Sequence, residues 1–143
     1  MHTPGDARKL LPHDQMRRQL NELHEVLLAA HKALLDHERI RFEQVHHRIE
    51  SPGEFLQLAM GDPFFAWLRV LSGLITQIDE FVCSKEPPDL RSGAALLAQA
   101  RTILTPTENG NEFQSNYLRA MQESPEVALA HAQWKLSNFR MDR

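Results

Sequence analysis

Five of the eight histidines in this 143-residue chain fall in one run, HEVLLAAHKALLDHERIRFEQVHHRIE, from His24 to Glu50, interleaved with carboxylates. Imidazole with carboxylate is the donor set of a zinc or iron centre and also the acid–base pair of a hydrolytic site. Spacing decides which of these is open. The run holds no glycine or proline and its apolar residues recur at three and four, so it reads as part of one helix from His13 to Glu50. On that helix His24, His31 and Glu38 share an arc with Leu20, Leu27, Leu28, Leu34, Leu35, Phe42, Val45 and Ile49. Their seven-residue spacing sets them about 10.5 Å apart along the axis. A metal ion needs its ligands within about 2.3 Å, so no two of the three can share one ion.

Each inward polar group must then be met from another helix. Glu38, a carboxylate in an apolar arc, requires a cation or hydrogen-bond donors. Arg101, near Leu97 and Leu104 on the apolar side of its own segment, is the expected partner, with Tyr117 and His131 behind it. Convergence of His24, His31, Glu38, Arg101, Tyr117 and His131 would make a polar pocket in a helical shell, used either to bind a small ligand or as a structural network. Glu43, His46, His47 and Glu50 lie outside the apolar arc. Their spacings of three and four could hold a surface metal ion, and are equally those of solvated helix pairs.

Other chemistry is sparse. A di-iron bundle needs Glu-x-x-His on two helices, and only Glu43-x-x-His46 is present, on the polar side. Asp79 and Glu80 are adjacent and point about 100° apart, which is no catalytic pair. Cys83 has no histidine beside it to activate a thiolate. Trp67, with Phe64, Leu71, Leu74 and Ile78, makes a continuous core stripe. No phosphate loop or nucleophile elbow occurs. The sequence thus leans away from an enzyme and calls for no cofactor.

Composition narrows the class further. Hydrophobic residues make up 42% and charged residues 24%, ordinary for a soluble domain large enough to bury one core. Residues 1–50 carry eight Lys/Arg against eight Asp/Glu, and the remainder eight against eleven. Neither half is polybasic, and Arg8, Lys9, Arg17 and Arg18 read as a solvated helix start, so no nucleic-acid partner is expected. A single cysteine excludes an internal disulfide and suits a reducing compartment. No apolar leader and no stretch long enough to cross a bilayer is seen, so a cytoplasmic location with no membrane partner is expected.

The elements that must position these groups are marked by caps. Ser51-Pro52-Gly53-Glu54 combines a Ser N-cap, an N1 proline and a capping-box glutamate, and Gly61-Asp62-Pro63 repeats the device. Helices are expected over Glu54–Met60, Pro63–Cys83, Leu90–Leu104, Glu112–Gln122 and, after Ser124-Pro125-Glu126, to Asn138. The reading is all-α: a four- to five-helix bundle with a long first helix and short capped connections, residues 1–12 a flexible start and 13–143 a single domain. The first helix would be about 57 Å long against about 31 Å for Pro63–Cys83. That overhang is the ground for expecting a homodimer.

The run LLDHERIRFEQVHHRIESPGEFLQLAMGDPFFAWLRVLSGLITQIDE, and more loosely YLRAMQESPEVALAHA, resembles a group of short, uncharacterised bacterial all-helical proteins. The resemblance covers roughly residues 20–83. It implies a bacterial cytosolic protein with a helical fold and brings no activity, cofactor or site residues. The function expected is a non-enzymatic protein-interaction or structural module acting as a homodimer, with an unknown protein partner as a second expectation; the alternative is a small-ligand or metal-binding bundle built around Glu38.

Overall fold

The computed structural model describes residues 12–87 and 89–141. The N-terminal segment expected to be flexible lies outside these, except for Pro12, which opens the first helix. Among the described residues the fold is all-α: α1 (Pro12–Val45), α2 (Pro52–Gly61), a 3-10 helix (Pro63–Leu68) continuing into α3 (Arg69–Cys83), α4 (Leu90–Ile103), α5 (Glu112–Glu123) and α6 (Pro125–Met141). Six α-helices stand where four or five were expected, because the short capped segments α2 and α5 are helices in their own right.

α1 is the spine, about 51 Å long at 1.5 Å per residue. Its inner stripe of Leu20, Leu23, Leu27, Leu34, Glu38 and Phe42 is buried. α3 and α6 run antiparallel to it on either side. His24 meets Asp79 at one edge, while Arg140 reaches Glu22, and Gln19 reaches the carbonyl of Met141, at the other. α4 closes this half, entering where Gly93 lies against Met16 and Phe81. The other half of α1 packs on the 3-10 helix, α2 and α5, through contacts such as Phe42 on Phe65 and Arg39 over the Phe55 ring. The overhang anticipated from length is therefore covered by the chain itself. Each fully buried leucine along the spine contributes about 1.5–3 kcal/mol of transfer free energy.

α1 ends at Val45, five residues before the expected stop, with no glycine or proline to end it. Two requirements win over helix propensity. Pro52 disfavours helical backbone at Ser51, whose extended conformation is needed to cap α2. Ile49 is drawn inward to 3% exposure, with its N–H donating to the Glu43 carboxylate at 2.9 Å. Val45, expected inside the arc, ends exposed, and Leu28 is half-exposed.

The connections follow local chemistry. Ser51 Oγ accepts from the Glu54 N–H, and Asp62 caps Phe64 in the same way. At Asp62 the chain bends by 73° from α2 into the 3-10/α3 unit. Arg69 holds that bend, donating to the carbonyls of Asp62 at 2.8 Å and Ala59 at 3.4 Å, a cation placed at the negative end of α2. Among the described residues no single helix is long and apolar enough to cross a membrane.

Candidate functional site

Glu38 is completely buried, as its position in the arc requires, but its partners are not the expected ones. Oε1 accepts from Arg41 Nη1 and Arg119 Nη2, both at 3.0 Å. Oε2 accepts from Arg41 Nη1 at 2.8 Å and Trp67 Nε1 at 3.2 Å. Arg41 stands one turn further along α1 and Arg119 comes across from α5. Both guanidiniums also lie over aromatic rings, Arg41 on Phe64 at 5.3 Å and Arg119 on Trp67 at 5.9 Å. Arg119 continues to Glu123 at 2.8 Å, and His37 Nε2 meets the same Glu123 oxygen at 2.9 Å. The hydrogen bond from His37, with Arg119 beside it, holds the Glu123 carboxyl below its ordinary range.

The result is a compact network of two carboxylates, two guanidiniums and one imidazole. A carboxylate offers about four acceptor positions, and four donor contacts reach those of Glu38. It has no position left from which to take a substrate proton or bind a ligand without losing a partner. Its geometry is that of a strut joining α1, the 3-10 helix and α5.

Arg101, expected to pair with Glu38, instead donates from Nε to Asn138 Oδ1 at 2.7 Å on α6. The reason is register: α4 lies along the N-terminal half of α1, whereas Glu38 is in the C-terminal half. Tyr117 and His131 do form a pair, Tyr117 Oη to His131 Nδ1 at 2.7 Å, both buried. A row of rings, Trp67 to Phe113 at 5.2 Å, Phe113 to Tyr117 at 5.8 Å and Tyr117 to His131 at 5.3 Å, separates this pair from Glu38. His131 and Arg101 line a common groove of about 440 Å³ with Lys135 and Asn138. Of the six inward candidates, the structure therefore unites Arg101, His131 and, behind the latter, Tyr117.

His24 lies at the rim, its Nε2 3.7 Å from Asp79. His31 walls a separate groove of about 430 Å³ between α1, α2 and α3, together with Leu35, Leu56, Met60 and Leu68. Burial pushes its imidazole below the ordinary value, so it is neutral near pH 7. Arg69, Ser72 and Thr76 on this groove direct hydrogen bonds to backbone carbonyls, which leaves its surface largely apolar.

The surface set is dispersed by the early end of α1. Glu43 accepts from Ile49, His46 packs on Phe42 at 4.7 Å, and His47 approaches Glu54 at 3.5 Å. Glu50 donates its backbone N–H to Glu54. The spacing that suggested a metal site presumed a helix through Glu50, and among the described residues no group of three or more His, Cys, Asp or Glu side chains is arranged to hold a metal ion.

Arg41, Trp67, Arg119, Glu123 and His37 were not legible as site residues. The one available signal was Arg41, three residues after Glu38 on the same helix. Arg119 and Glu123 form an i, i+4 pair on α5 that sequence alone reads as solvated. Compared with known proteins, the chain matches no family model, no curated protein and no solved structure.

Proposed function

We propose that this chain is a non-enzymatic interaction module of the bacterial cytosol that works as a homodimer through the face formed by α2 and the groove beside it. The observation that carries this reading is the state of α2. Its sequence, PGEFLQLAMG, has one charged residue, yet none of its side chains is fully buried. Leu56 is 60% and Met60 69% exposed, one turn apart on the ridge beside the apolar groove. A ridge and a groove side by side on one surface are what a twofold interface uses, each copy placing its ridge in the other's groove. The saturated Glu38 network favours a rigid scaffold over a reacting centre. The single free thiol at Cys83 suits a reducing compartment.

Light scattering and sedimentation at micromolar concentration test this. The expected result is a dimer that Leu56→Glu or Met60→Glu converts to a monomer with unchanged helical content. Leu136→Glu, on the exposed side of α6, leaves the dimer intact. A monomeric parent chain at these concentrations would overturn the homodimer, and a dimer insensitive to both α2 substitutions would overturn the face assigned to it.

A further inference from the structure

The apolar groove beside α2 holds one imidazole, and no acid faces it. His31 stands on the α1 wall, half-buried, and lines the groove with Leu56 and Met60 of the ridge. Burial is the one cause that acts on its ring, and it holds the imidazole below its ordinary value. The charged groups on the surrounding elements are all engaged elsewhere or of the wrong sign. On α1, Lys32 turns outward to Asp36, Glu38 is filled by its own donors, and His24 faces Asp79 of α3. The one charged residue of α2, Glu54, meets His47 at the opposite end of that helix, and the 3-10 helix has none. From α3, Glu80 is exposed near the far end, and Arg69 shares the groove with His31 as a second cation, held by backbone carbonyls. Among the described residues no carboxylate lines the groove, so nothing there can receive a protonated imidazole.

A neutral imidazole can be covered by an apolar ridge at modest cost. An imidazolium in the same place would lose its water, and the groove has no counter-charge to replace it. We propose that His31 is a proton switch on the dimer: two copies associate while His31 is neutral and separate when it takes up a proton. This rests on the groove beside α2 being the dimer interface, where each copy's ridge covers the other's His31. The sign follows from linkage. Covering the ring lowers its proton affinity further, so a dimer binds fewer protons than two separate chains. Association is therefore at full strength above about pH 7 and weakens as pH falls through the imidazole range. The limit is about tenfold per pH unit for each of the two histidines.

Sedimentation equilibrium of the full chain, at fixed ionic strength and at about pH 7.5 and about pH 5, tests the switch. The dimer dissociation constant of the parent should rise at least about fivefold at the lower pH, with the helical circular dichroism signal unchanged. His31→Gln places a neutral amide on the groove wall and should dimerise equally at both pH values, which separates His31 from the other histidines of the chain. His31→Leu is the second variant, with no polar group to cover: its dimer should be at least as tight as the parent's at pH 7.5 and equally indifferent to acid. A parent dimer equally tight at both pH values would overturn the switch, as would variant dimers that weaken in acid as much as the parent. A parent chain that is monomeric at pH 7.5 would overturn the interface itself, and the switch with it.

Discussion

A buried carboxylate survives only where the protein replaces the water it lost, and Glu38 shows how much replacement that takes: two guanidiniums and an indole around one side chain. Glu38→Ala removes the shared acceptor of all three. Arg41 and Arg119 are about a quarter to a third exposed and retain Glu123 nearby, so they recover part of their solvation. Trp67 recovers none. The expected cost is about 3 kcal/mol, the lower end of what breaking a buried pair costs. It is read from urea denaturation, with Arg119→Ala and the double variant completing a cycle. A change near zero would mean that the network contributes no net stability. The inward position of Glu38 was legible, because a seven-residue step from His24 and His31 stays on one helix face. Its partners were not. Arg119 is 81 residues away, and nothing short of the register between α1 and α5 tells that it, rather than Arg101, reaches the same depth.

At the scale of elements, caps are legible from a few neighbouring residues, and helix ends set by tertiary demand are not. Ser51, Asp62, Ser124 and the turn before α5 all carry side-chain caps that need only a few neighbouring residues to exist. The end of α1 at Val45 is not legible in the sequence, because burial of Ile49 and the fold-back of α2 are not local events. The α5 cap also supplies a test. Asn111 and Gln114 form a reciprocal capping box, with Asn111 N–H to Gln114 Oε1 at 2.9 Å and Gln114 N–H to Asn111 Oδ1 at 2.9 Å. Gln114 Nε2 is also tied to the carbonyl of Thr102 at 2.7 Å, joining α5 to the end of α4. A methyl group on Gly110 would collide with Gln114 Oε1 and the methyl of Thr107, and Gln114 is held too firmly to yield without losing a bond. Gly110→Ala should therefore cost about 1–2 kcal/mol, the worth of a cap, where a surface loop substitution normally costs under about 0.5 kcal/mol. A thermal-denaturation midpoint equal to the parent's would show that the box rearranges freely.

At the scale of the molecule, α1 belongs to two packed halves at once. Its N-terminal half packs with α3, α4 and α6, and its C-terminal half with the 3-10 helix and α5, within one continuous hydrophobic cluster. Leu34 and Glu38, one turn apart and both fully buried, lie where the halves meet. A continuous helix through both makes independent unfolding costly, since melting either half exposes apolar surface on α1 that the other half's packing holds in place. The two tryptophans report on this separately. Trp67 sits in the C-terminal half against Glu38 and Phe113, and Trp134 on α6 lines the groove with Arg101 and Leu104. In Trp134→Phe the remaining fluorescence follows Trp67, and in Trp67→Phe it follows Trp134. Each variant's fluorescence transition in urea should coincide with its own far-UV circular dichroism transition, whatever its overall stability, as a single cooperative unit requires. A Trp67 transition that precedes the loss of helix in its own variant would instead make the α2, 3-10 and α5 layer a separate unit, with the Glu38 network as the joint that opens first.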